Sequence, residues 1–199
     1  MKTRSNVNQE TSRRTPEQPE RRQLLAAACS LGPVLALGGN LSPPQVDEAL
    51  TLTTEDRIAL ALMRFKMGFH CSQSVFEVYA EDFGIDPMLA RRITAALAGG
   101  STVGGECGAV SSGYLVLGLR HGRTVPAHGD VKREEKLFDR VKRFVDEFKK
   151  RHGSINCREL LEVDVFTDDG RAEGLRKNLF TTRCPMFIRD AITILDELG

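Results

Sequence analysis

Five cysteines are spread over 199 residues, too few for a disulfide scaffold of that length and enough for one site. Four of them, Cys71, Cys107, Cys157 and Cys184, lie in the stretch that carries helical periodicity. No two are spaced Cys-x-x-Cys, so spacing alone selects no metal. Their places along the expected elements say more. Cys71 follows Gly68-Phe69-His70, Cys107 follows a glycine-rich run, Cys157 comes three residues after Ser154, and Cys184 precedes Pro185. Each falls at or within a few residues of an expected helix N-terminus. There, unpaired N–H groups and the positive end of the dipole favour a thiolate. Four such termini meeting at one point would serve a shared anionic centre, and thiolates around a metal or an iron–sulfur cluster are such a centre. The competing reading is four separate buried thiols, because free cysteine is among the most buried residue types.

The elements that must position these sulfurs all read as helices. Thr54 before Glu55 and Asp56 reads as an N-cap, and Ile58, Leu62 and Phe65 form one apolar face up to Gly68. A second helix begins near Cys71 or Ser72, carries Val75, Phe76, Tyr79 and Phe83, and stops at Gly84. Asp86-Pro87 starts a third, which runs to Gly99-Gly100. The helix after Cys107 is apolar nearly all round and is expected to be the buried post of the fold. Residues 131–152 form the longest amphipathic pattern. Leu137, Val141, Phe144, Val145 and Phe148 face inward, and the charges between them read as a solvated face. Ser154 is expected to cap a short helix through Cys157, Leu175 to Phe180 suggests another, and Cys184-Pro185 opens the last. No alternating strand pattern occurs. The expected fold is all-α, a compact bundle of six or seven helices around one apolar helix.

The run 99–118 feeds that central helix. Its glycines, Gly99, Gly100, Gly104 and Gly105, let the backbone bend and approach something closely. The run lacks the Lys-Ser/Thr ending of a phosphate loop and follows a helix instead of a strand, so nucleotide binding is not expected.

The N-terminus has a separate character. Arg21-Arg22-Gln23-Leu24-Leu25 opens the mostly apolar run 24–37, which resembles a twin-arginine export signal over 1–38. A linker over 39–52 with Pro43-Pro44 follows, then the helical domain 53–199. Cys29 would leave with the signal. The implied location is periplasmic, and that route carries proteins already folded, often with a cofactor. The apolar run is too short to span a bilayer, so no membrane span is expected after signal removal.

Composition narrows the function. The formal net charge is +1, Trp is absent and Tyr occurs twice, so neither a nucleic-acid surface nor a stacking platform is expected. Ser111 and Ser112 have no evident His–Asp partners. His70 beside Cys71 reads as a helix-start residue ahead of a fifth ligand, and Glu106 as either an acid–base group or a cap. His121, His128 and His152 fall at helix ends or in loops.

Taken together, the contexts Gly-Phe-His-Cys71-Ser-Gln-Ser-Val, Gly105-Glu-Cys107-Gly-Ala-Val-Ser-Ser-Gly, Ser154-Ile-Asn-Cys157-Arg-Glu-Leu-Leu and Cys184-Pro resemble the redox-active family named for its Cys…Gly-Cys-x-x-Gly…Cys…Cys pattern. The resemblance covers about 52–198. It implies that Cys71, Cys107, Cys157 and Cys184 are the cluster or redox cysteines. A related domain occurs in the split-Soret cytochromes, which are dimeric and carry an iron–sulfur cluster beside c-type haems, so a homodimer is implied as well. Haem does not carry over, because Cys-x-x-Cys-His is missing here. Three chemistries stay open. The first is a four-thiolate iron–sulfur site, preferably [2Fe–2S], for electron transfer with a redox partner protein. The second is thiol–disulfide exchange, and the third is a structural zinc site.

Overall fold

The computed structural model describes residues 52–124, 126 and 131–199. The expected signal over 1–38, Cys29, His128 and the linker as far as residue 51 lie outside the described residues. Nine α-helices occur among the described residues: α1 (Thr54–Lys66), α2 (Cys71–Ala80), α3 (Pro87–Thr94), α4 (Gly108–His121), α5 (Val131–His152), α6 (Cys157–Leu161), α7 (Asp168–Arg176), α8 (Leu179–Thr182) and α9 (Cys184–Leu198). They hold no strand, only a single antiparallel bridge between Glu106 and Asn156. The fold is all-α.

Local chemistry explains most boundaries. Thr53, one residue before the expected cap, accepts from the Asp56 N–H at 3.2 Å, and Asp56 accepts from the Thr53 N–H at 3.1 Å. This reciprocal box satisfies two orphan donors. Asp86 caps α3 by accepting from the Leu89 N–H at 3.0 Å, with Pro87 in the first turn. Asn156, not Ser154, occupies the cap position of α6; the Ser154 hydroxyl instead accepts from the Asn156 N–H at 3.0 Å. Where one helix was expected around 175–180, Asn178 adopts a left-handed φ of 55° and separates α7 from α8. That division helps raise the count above six or seven.

The centre is shared by two helices. Eight of the ten residues of α2 are buried, and α4 packs along it with Ala109, Val110, Val116 and Leu117 enclosed. Leu119, expected inside, is 43% exposed, so α4 is less enclosed than its composition implied. The buried face of α9, from Phe187 to Leu195, closes one side. On α5, Phe144 and Phe148 are fully buried, while Leu137, Val141 and Val145 lie partly covered against the core. Gly113 lies beneath the Phe144 ring, where a Cβ would collide with it.

Two charged groups, Arg57 and Glu77, stand inside. Arg57 of α1 is buried, donates to the Val78 carbonyl, pairs with Asp82 at 2.7 Å and lies 4.5 Å over the Tyr79 ring. Tyr79 donates to Asp196 of α9 at 2.9 Å. The cluster joins α1, α2 and α9. Among the described residues, no helix is long and apolar enough to cross a membrane.

Candidate redox centre

The four cysteines stand where the helices begin. Cys71, Cys157 and Cys184 are the first residues of α2, α6 and α9, and Cys107 is the cap residue of α4. All four are free thiols; Cys107, Cys157 and Cys184 are buried and Cys71 is half-buried.

Backbone contacts hold these starts together. Cys107 N–H donates to the Ile155 carbonyl at 2.7 Å, and Cys157 N–H donates to the Gly105 carbonyl at 2.7 Å. These two bonds fix α4 and α6 side by side. Arg183, next to Cys184, donates to the Leu160 carbonyl at 2.9 Å and to Glu162 at 2.8 Å, which ties the start of α9 to the end of α6. The start of α2 is held from two sides. Ser72 donates to the Thr94 carbonyl at 2.9 Å, and Ser112 donates to the Ser72 carbonyl at 2.8 Å. Ser112 is thus a buried bolt between α4 and α2.

Glycine is required at two places here. Gly108 follows Cys107, and a Cβ on it would stand 2.9 Å from the Cys71 sulfur and 2.9 Å from the Leu97 carbonyl oxygen. Only hydrogen fits between α4 and the first turn of α2. Gly99 has φ 61° and leads a run of left-handed residues, Gly100, Ser101, Thr102 and Gly104. Left-handed geometry costs non-glycine residues about 1–2 kcal/mol each, so Ser101 and Thr102 store strain in the loop that leads to Cys107. The turn closes with the Gly105 N–H donating to the Gly100 carbonyl at 3.0 Å.

The thiols are electrically unequal. Cys71 is held below the ordinary thiol range, first by a hydrogen bond from the Cys107 thiol, then by the backbone N–H groups of Ser72, Gly99 and Ala109, against the opposing effect of burial. Cys107 is pushed well above that range by the same bond, by burial and by the charge of Cys71. Burial, then the charge of Cys71, pushes Cys157 up to about 12. Cys184 is raised by burial, then by Cys71 and Cys157. Cys71 therefore acts on all of the other three and is the electrical hub of the set.

A family model described as "Putative redox-active protein (C_GCAxxG_C_C)" matches residues 69–198. The chain belongs to this family. No curated protein and no solved structure matches the chain. The matched span contains all four cysteines and the helices that begin at them.

The neighbouring candidates have structural roles. His70 is exposed at the cap of α2, its N–H donating to Gln73 at 2.9 Å and its carbonyl accepting from Ser74 at 2.9 Å. Glu106 is exposed and accepts from the Tyr114 hydroxyl at 3.3 Å, so it does not cap α4. His152 is packed against Phe148 and Phe187, its Nε2 2.8 Å from an Asp190 oxygen. The contributors that sequence reasoning left unnamed are individual backbone groups. The amides of Gly99 and Ala109 point at sulfur, and the only signal for them was the glycine-rich run and the Cys-Gly-Ala triplet.

Chemically, the arrangement offers one thiol biased toward ionisation beside three that resist it. Metal binding would reverse that resistance, because a coordinated thiol gives up its proton. The donor set is all sulfur. Among the described residues, no group of three or more His, Cys, Asp or Glu side chains is arranged to hold a single metal ion. Cys107 is the group that acts most strongly on the Cys71 thiol, so the two form a pair.

Proposed function

We propose that the four cysteines form one redox centre that holds an iron–sulfur cluster, [2Fe–2S] in type, and passes electrons to a partner protein. The observation that carries this reading is the setting of Cys71. Three backbone N–H groups and one thiol point at a sulfur that acts electrostatically on the other three cysteines. A two-iron cluster takes its four thiolates two per iron, and Cys71 with Cys107 would supply one such pair. When bound, the cluster would supply a one-electron couple. The chain's own part is to supply ligands, to aim amide N–H groups at sulfur, and to keep water away through the burial of Cys107, Cys157 and Cys184. The arginine pair at Arg21-Arg22 and the apolar run after it support export by the twin-arginine route.

A visible spectrum of anaerobically purified protein tests this. Visible absorption is expected of an iron–sulfur chromophore, and Cys107→Ser is expected to remove it. A colourless wild type, or an undiminished spectrum in Cys107→Ser, sinks the proposal.

The contact between Cys71 and Cys107 favours one second reading, thiol–disulfide exchange. The Cys71 thiolate would attack a sulfur of an external disulfide and release one thiolate. The Cys107 sulfur, losing its proton, would then attack Cys71 and release the second. Two electrons pass to the external disulfide, and a Cys71–Cys107 bond remains. Intact mass before and after reduction distinguishes this reading from the first.

A further inference from the structure

The long helix α5 turns most of its charge to solvent, but one stripe of it walls a cleft of about 420 Å³. Lys132, Arg133, Lys136 and Arg140 line one side, and Arg120 and His121 at the end of α4 line the other. Lys132, Lys136 and Arg140 follow at i, i+4 and i+8, so they stand in one row. Every lining side chain among the described residues is basic.

Some of these groups are already engaged. Arg120 donates to the Leu195 carbonyl at 2.8 Å and pairs with Asp196 at 3.2 Å. Arg133 donates to the His121 carbonyl at 3.3 Å, and His121 Nε2 lies 2.6 Å from the Gly199 backbone oxygen. The carboxylate of Glu134 is taken by Arg123 at 3.0 Å. Arg140 differs, because its Nε is buried and makes no hydrogen bond. A buried donor left unmade is costly, and native structures leave few of them. The field of the cleft reaches His121, which burial and then the charges of Arg140, Arg120 and Arg133 hold below the usual histidine range.

We propose that this cleft binds a small phosphate-rich molecule, through Lys132, Lys136 and Arg140 of α5 and the basic end of α4. Mutually repelling cations around a concavity are relieved by a polyanion, and guanidinium forks match phosphate oxygens. The volume falls within the range of about 300–1,000 Å³ usual for small-molecule sites. Among the described residues no Phe, Tyr or aliphatic side chain lines it, so the phosphates are recognised and not an apolar body. The inference is independent of the redox reading, since it uses none of the cysteines.

Calorimetric titration of the full chain with sodium pyrophosphate, in a chloride buffer, tests the proposal. Saturable binding of one pyrophosphate per chain is expected, weakening as salt is raised. Inorganic phosphate is expected to bind more weakly. The double variant Lys132→Gln/Lys136→Gln changes two exposed side chains and is expected to keep its far-ultraviolet circular dichroism while losing at least about tenfold in pyrophosphate affinity. Absence of saturable heat, or unchanged affinity in the folded double variant, overturns the site. Equal affinity for citrate overturns the phosphate assignment.

Discussion

Replacing Gly108 by alanine separates packing at the sulfurs from ordinary helix chemistry. A Cβ there would stand 2.9 Å from the Cys71 sulfur, 2.9 Å from the Leu97 carbonyl oxygen and 3.0 Å from the Ser72 Cβ. Two of those three atoms are a backbone oxygen and a Cβ, which no side-chain rotation can clear. Overpacking of this kind costs about 1–3 kcal/mol. Helix propensity works the other way and favours alanine by up to about 1 kcal/mol. Gly118, in the same helix, supplies the control, because nothing lies within 4 Å of its added Cβ. Gly118→Ala is expected to stabilise by about 0.5–1 kcal/mol. The two variants are therefore expected to differ by about 2 kcal/mol, or roughly 4–8 °C in melting temperature. Unfolding of the reduced protein, followed by circular dichroism under anaerobic conditions, measures the difference. Gly108→Ala also moves the Cys71 sulfur off its donors, so the pH midpoint of Cys71 alkylation should rise. A Gly108→Ala protein as stable as Gly118→Ala, with an unmoved midpoint, would refute the packing argument.

Three further outcomes follow from the same contacts. Cys107→Ala removes the main group holding Cys71 low, so the alkylation midpoint of Cys71 should rise; an unchanged midpoint would assign the effect to the amides alone. Arg57→Met strips a buried cation from Asp82, the Val78 carbonyl and Tyr79, and should cost about 3 kcal/mol or more in urea unfolding, whereas a loss below about 1 kcal/mol would contradict the anchoring role. Burial, opposed at His152 by Asp190 and at His121 by the Gly199 backbone oxygen, holds both histidines below their ordinary range. The unfolded chain therefore takes up protons near pH 6.5 that the folded chain resists, and stability should fall as pH drops through that value. Melting temperatures at pH 7.5 and 5.5 check this, and a rise on acidification would be the wrong sign.

The placement of the cysteines was legible because helix starts announce themselves. Asp86-Pro87 and Cys184-Pro185 put Pro in the first turn, and the apolar stripe on α5 gave its inward face directly. What stayed hidden was set by tertiary contact. Arg57 looks like any charge on an amphipathic helix, and its burial depends on Asp82 and Asp196 arriving from other elements. The break at Asn178 has no proline or glycine to mark it. α2 reads as amphipathic, yet its polar residues are buried with their bonds made, Ser72 to Thr94 and Glu77 to Arg64 and Arg91. The inequality of the four thiols was equally invisible, because it comes from the Cys71–Cys107 contact and from burial, which only the folded chain brings about. The row Lys132, Lys136 and Arg140 looked like a solvated face because a sequence does not reveal that the end of α4 lies opposite.

The central claim is that the four cysteines are the ligands of one redox group. Iron and acid-labile sulfide, counted per chain after strictly anaerobic purification, test it most directly. The account predicts about two of each per chain, lost together in Cys71→Ser, Cys107→Ser, Cys157→Ser or Cys184→Ser. A folded wild-type chain without iron or sulfide after anaerobic purification and attempted reconstitution would contradict it.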